Sequence, residues 1–83
     1  MLKLYSKKNC HLCDVAKKEL QAIEGLQFQE IDIYDNDELL EKYGLMIPVV
    51  ALDEIIIQYG QVRKNEVISF LKSKTKRNTI NDG

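Results

Sequence analysis

Leu2-Lys3-Leu4-Tyr5-Ser6-Lys7-Lys8-Asn9-Cys10-His11-Leu12-Cys13 is the stretch that decides the fold. Leu2, Leu4 and Tyr5 read as a short strand, and the polar run Ser6-Lys7-Lys8-Asn9 ends it. From Cys10 the period changes. Cys13, Ala16, Leu20 and Ile23 recur at i, i+3, i+7 and i+10, one face of a helix, and Lys17, Lys18, Gln21 and Glu24 lie off that face. Asn9 is the expected N-cap and Gly25 the expected C-cap. Cys10 is therefore expected at or just before the first helical turn.

Working outward, residues 26–34 read as a second strand with Phe28, Ile31 and Ile33 as its apolar positions. Phe28 and Ile31 fall on opposite faces, as in a strand covered on both sides at one end. Asp35-Asn36-Asp37 offers capping oxygens to a short helix containing Leu39, Leu40 and Tyr43, with Gly44 as its stop. Residues 48–52 form a third strand, joined by Asp53-Glu54 to a fourth over residues 55–59, and that spacing predicts a hairpin. Gly60 breaks the strand, and a last helix carries Val67, Ile68, Phe70 and Leu71. The end of the chain has one apolar residue, Ile80, and is expected to fray, with Lys72, Lys74, Lys76 and Arg77 as solvated charges. This gives one domain over residues 1–72, a basic tail over 73–83, and an α/β class with the order β-α-β-α-β-β-α. The first two strands are expected parallel and the last two antiparallel.

The chain has 83 residues, enough for one domain but not two, and its 45% hydrophobic and 30% charged residues fit a globular protein. Twelve Lys and Arg oppose thirteen Asp and Glu, giving a net charge of −1. So balanced a chain has no overall field to hold a nucleic acid or an anionic membrane. The longest apolar run, residues 45–52, spans eight positions including Pro48, against roughly 18 for a membrane-spanning helix. The N-terminal apolar stretch is too short for a signal peptide, so a cytoplasmic location is expected, with no nucleic-acid and no membrane partner.

The two cysteines, Cys10 and Cys13, are too close in sequence to staple the fold, because bridging them removes little entropy from the unfolded chain. Their presence points to redox or metal chemistry. Three apart at a helix start, they share one face, about 5–6 Å between Cβ atoms, close to disulfide distance. Cys10 meets the unsatisfied N–H groups and positive dipole end of the helix, which favour the reactive thiolate. Lys7 and Lys8 add positive charge, although lysines in a turn are also ordinary solvated residues. Cys13 lies one turn in, aligned with Ala16 and Leu20, and is expected to be buried. An exposed attacker and a shielded resolver are what thiol–disulfide exchange requires. A pair of inert buried cysteines suits Cys13 but not Cys10. Structural zinc needs four ligands, and only Cys10, His11 and Cys13 are at hand, so an intramolecular site is disfavoured and one shared between chains stays open. His11 is expected to face solvent and tune the Cys10 thiolate rather than act as a base. Pro48 opens the third strand, where a missing N–H does least harm.

These features together resemble a small glutaredoxin or thioredoxin-like protein. The resemblance covers residues 2–72 and joins the strand order, the Cys-x-x-Cys, Met46-Ile47-Pro48-Val49 with its proline 38 positions after Cys10, and Gly60 before the last helix. It implies a four-stranded mixed sheet in order 2-1-3-4 with three helices, the first and last on one face and the second on the other. It implies a cis Pro48 beside the cysteines, pairing of the Ile47 backbone with an extended substrate, and a thiolate-stabilising role for Lys7. The chain departs from the family in its His11-Leu12 dipeptide, in lacking a Trp before Cys10, and in having Gly60-Gln61-Val62 where glutaredoxins carry paired glycines followed by an acid.

The expected activity is that of an enzyme, a thiol–disulfide oxidoreductase without an organic cofactor of its own. Cys10 and Cys13 are its catalytic residues, Lys7 and His11 tune the thiolate, and Ile47 and Pro48 bind substrate. Its expected partners are protein disulfides, glutathione as a possible co-substrate, and a reductase as electron donor, and the chain is expected to be monomeric. Two alternatives stand beside it: a metal or iron–sulfur carrier using Cys10 across a dimer, and a redox-inactive binding module on the same fold.

Overall fold

A computed structural model describes residues 1–82, with side chains through Ser73. The elements run β1 (Leu2–Ser6), α1 (His11–Gln21), β2 (Phe28–Asp32), a single 3₁₀ turn (Ile33–Asp35), α2 (Asp37–Tyr43), β3 (Val49–Leu52), β4 (Ile55–Tyr59) and α3 (Lys64–Asp82). The strands form one sheet in the order β2-β1-β3-β4. β1 and β2 are parallel, while β3 is antiparallel to both β1 and β4. This is the thioredoxin-like arrangement that the resemblance implies. Among the described residues no helix is long and apolar enough to cross a membrane.

The period-2 alternation of the strands sends side chains to two cores. On one face Leu2 and Leu4 of β1 and Val50 of β3 pack with Ala16 and Leu20 of α1 and Val67 of α3. On the other, Tyr5, Val49 and Ala51 pack with Ile33 and with Tyr43 of α2. Phe28 joins the first cluster and Ile31 the second, so β2 is covered on both faces as expected. The Tyr5 and Tyr43 rings stack with centroids 4.6 Å apart, a favourable geometry for aromatic pairs.

Several boundaries differ from the sequence reading, each for a local reason. β2 stops at Asp32, because its carboxylate accepts the Tyr34 N–H at 2.9 Å and starts the 3₁₀ turn. Ile33 is nonetheless buried, reaching the α2-side core from that turn rather than from a strand. α1 ends at Gln21, with Ala22 as its cap, so Gly25 lies in the following turn at φ 76° rather than at the C-cap. The N-cap of α1 is Cys10, not Asn9. Asn9 takes a left-handed conformation, φ 56°, which Asn tolerates better than most residues. α2 begins as expected: Asn36 Oδ1 accepts the N–H groups of Glu38 (2.8 Å) and Leu39 (3.3 Å). Gly44 caps its end, where a Cβ would stand 2.5 Å from the Leu40 carbonyl oxygen.

β3 and β4 join through Asp53-Glu54 as a two-residue hairpin. The register slips between Val50 and Ala51, which face Gln58 and Ile56, leaving Ile57 as an extra residue in β4. α3 runs over Lys64–Asp82, and neither Gly nor Pro interrupts residues 64–82. The side chains of residues 74–83, and with them most of the basic tail, lie outside the described residues.

Burial ranks the effects of truncation. Leu20→Ala, at a fully buried position, should lower the unfolding free energy by about 2–5 kcal/mol. Leu45→Ala, at a fully exposed one, should change it by less than about 0.5 kcal/mol. Denaturant melts of the two variants check this, and similar losses in both would contradict the assigned core.

Candidate functional site

Ser6 ends β1 as a buried polar residue, and its hydroxyl donates to the Glu30 carboxylate of β2 at 3.2 Å. That carboxylate also meets the Lys17 ammonium of α1 at 3.0 Å, so one acid links β1, β2 and α1. Lys7, Lys8 and Asn9 then form an exposed turn. The left-handed Asn9 redirects the chain so that Cys10 enters α1 with extended backbone, φ −122° and ψ 110°.

Cys10 caps the helix with sulfur. Its Sγ accepts the Cys13 backbone N–H at 3.2 Å, filling the place a Ser or Asp oxygen takes in other helices. The same sulfur is bonded to Cys13, with the two Cα atoms 5.2 Å apart, inside the usual disulfide range. The two cysteines differ in exposure: Cys13 is 3% exposed, among the residues of the α1 core stripe, and Cys10 is half-buried. His11 and Lys7 are exposed.

Sheet register places the other candidates. Tyr5 faces Val49 in the antiparallel ladder, so Ser6 comes opposite Pro48, and Ile47-Pro48 lies at the same end of the sheet as the cysteine turn. Pro48 is buried and its peptide bond with Ile47 is cis. The Pro48 carbonyl accepts the Gly60 N–H at 2.9 Å, which draws the segment after β4 to that end too. Gly60 has φ 77°, a conformation open to Gly at little cost. Ile47 is half-buried, and its N–H already donates to the Tyr43 carbonyl at 3.2 Å. The N–H half of the backbone pairing expected of Ile47 is thus engaged inside the chain.

Among the described residues, two hollows lie along the turn and the helix that carry the cysteines. One is lined by Ser6, Lys7, Asn9, Asp14, Glu30 and Asp32, among others. The other is a groove between Leu12, Val15 and Glu19 of α1 and residues 60–63. The sequence reading missed this groove, although its signal is present: Leu12, Val15 and Glu19 recur at i, i+3 and i+7, a second stripe beside the core stripe. It missed Gln58 as well. The Gln58 side chain accepts the Arg63 N–H at 2.9 Å and donates to the Glu66 carboxylate, which fixes the segment entering α3. Among the described residues no three His, Cys, Asp or Glu side chains group closely enough to hold a metal ion.

Comparison with known proteins agrees with this geometry. No curated protein matches the chain. Among solved structures it is similar to the X-ray structure of Northeast Structural Genomics target protein XcR50 from X. campestris, with 27% identity, a TM-score of 0.77, and coverage of 88% of this chain and 97% of that one. A family model described as Glutaredoxin-like domain (DUF836) matches residues 1–72, which hold all four strands, α1, α2 and both cysteines. The Cys10–Cys13 pair on this sheet fits a thioredoxin-like redox module, and with its family model matched over residues 1–72 the chain belongs to the glutaredoxin-like family.

Proposed function

We infer that this chain is a thiol–disulfide oxidoreductase in which Cys10 attacks and Cys13 resolves. The observation that carries the reading is the asymmetric pair itself. Cys10 is accessible and holds its sulfur on a helix N-terminus, while Cys13 is sealed in the core stripe at bonding distance.

In the reduced protein the Cys10 thiolate is the nucleophile. The Cys13 N–H that meets its sulfur becomes a charge-assisted donor, and the α1 dipole favours the same charge. The thiolate attacks one sulfur of a substrate disulfide. The substrate S–S bond breaks, one substrate thiolate leaves and takes a proton from water, and a mixed disulfide forms on Cys10. Cys13 attacks the Cys10 sulfur, the second substrate sulfur departs as a thiolate and takes up the Cys13 proton, and the Cys10–Cys13 disulfide forms. Two electrons have passed to the substrate. The chain has no further cysteine, so two electrons from outside, from a reductase or from glutathione, restore the dithiol. No organic cofactor takes part in these steps. Lys7 and His11 are exposed, so their influence on the thiolate is weak. Ile47 and Pro48 border the docking surface, and an extended substrate that pairs with the Ile47 N–H draws it away from the Tyr43 carbonyl.

Two measurements test this. In the reduced protein, iodoacetamide should modify Cys10 at least about tenfold faster than Cys13 near neutral pH, as peptide mass spectrometry would read. Lys7→Ala should slow the Cys10 reaction by less than about threefold. Comparable labelling of both cysteines would remove the attacker–resolver distinction. The second measurement is reduction of a protein disulfide. Cys10→Ser should have no activity, and Cys13→Ser should accumulate a mixed disulfide with the substrate that a thiol reductant releases. Accumulation in Cys10→Ser instead would reverse the two roles, and none in either would refute the activity.

A further inference from the structure

The groove beside the cysteines begins at Leu12, which lies between them in sequence, and runs along Val15 to Glu19. Leu12 and Val15 keep 45% and 38% of their surface open, while Glu19 is half-buried. The Glu19 carboxylate accepts the backbone N–H of Lys64, the first residue of α3, at 2.8 Å. The neighbouring N–H, of Arg63, is taken by the Gln58 amide oxygen at 2.9 Å.

The start of a helix attracts anions, because its first N–H groups lack partners and carry the positive end of the dipole. Here the chain supplies that anion from α1. The groove also holds the Arg63 guanidinium, but it is exposed, 3.4 Å from the Gln61 amide oxygen, and solvent and salt screen it. We propose that Glu19 is a specificity-determining residue of the exchange site. By occupying the α3 N-terminus it keeps anionic groups out of the groove and leaves Leu12 and Val15 to an uncharged flank of the substrate. The substrate class is then a protein disulfide presented by an uncharged, apolar segment. Glutathione, with its carboxylates, is the poorer partner. The inference rests on Cys10 being the attacking thiolate, and the chemistry is that already written, one substrate disulfide reduced as the Cys10–Cys13 bond forms.

The test uses the reduced native protein and Glu19→Gln, whose amide oxygen still accepts the Lys64 N–H although the charge is gone. Rate constants for forming the Cys10–Cys13 disulfide are measured with two probes, glutathione disulfide and the uncharged bis(2-hydroxyethyl) disulfide. Comparing the ratio of the two rates between proteins cancels the intrinsic reactivity of the probes. The ratio of glutathione disulfide to uncharged probe should rise about threefold in Glu19→Gln, and should rise with salt in the native protein. An unchanged or lower ratio in folded Glu19→Gln overturns the proposal. Should that variant fail to fold, the native salt series decides, and a flat or falling ratio overturns it. A native protein that reacts with neither probe refutes the redox reading and this inference with it. One that reacts with both, at a ratio indifferent to Glu19, refutes this inference alone.

Discussion

β1 has neighbours on every side, and the rest of the molecule is arranged around that fact. β2 and β3 take both of its hydrogen-bonding edges, one parallel and one antiparallel. Leu2 and Leu4 are buried under α1 and α3, and Tyr5 is buried on the opposite face against Tyr43. A strand so enclosed leaves no freedom in where its carboxyl end emerges. Register then brings the start of β3, the end of β4 and the Lys7-to-Asn9 turn to one end of the sheet. The site is a consequence of strand pairing first and of side-chain chemistry second.

The chemistry comes from a helix end. An α-helix leaves its first N–H groups without partners, and most chains cap them with an oxygen. This chain caps them with the Cys10 sulfur, so the group that finishes the helix is also one half of the Cys10–Cys13 pair. Asn9 makes that possible by giving up the capping role and taking the left-handed turn before it. One turn further in, Cys13 belongs to the stripe that anchors α1 to the sheet, which fixes its distance from Cys10 and keeps water from it.

The α3 side of the site is held differently, by polar side chains that reach across the sequence. Glu19 of α1 bonds Lys64, and Gln58 of β4 bonds Arg63 and Glu66. These bonds tie the first turn of α3 to two other elements, and Glu19 and Arg63 among their partners line the groove. On the other face the Tyr43 carbonyl holds Ile47 through its N–H, tying the segment before Pro48 to the end of α2.

The element order, the two faces of β2, the stripe of α1, the hairpin at Asp53-Glu54 and the Cys-x-x-Cys at a helix start were legible in the residues alone. Each is a local matter of period, turn chemistry or spacing, which a linear string expresses. Residue choice at particular points needed the third dimension. Whether Asn9 or Cys10 caps α1 depends on which side chain reaches the Cys13 N–H once the turn is made. Ile33 leaves its strand and still reaches the core because Asp32 starts a tighter turn there. Ile57 becomes an extra residue only when β4 is laid against β3. Glu19 and Gln58 look like any solvated polar residues until α3 arrives beside them. Their partners lie 45 residues away in one case and five and eight in the other. Such bonds follow from where backbone N–H groups end up in space, which no linear string expresses.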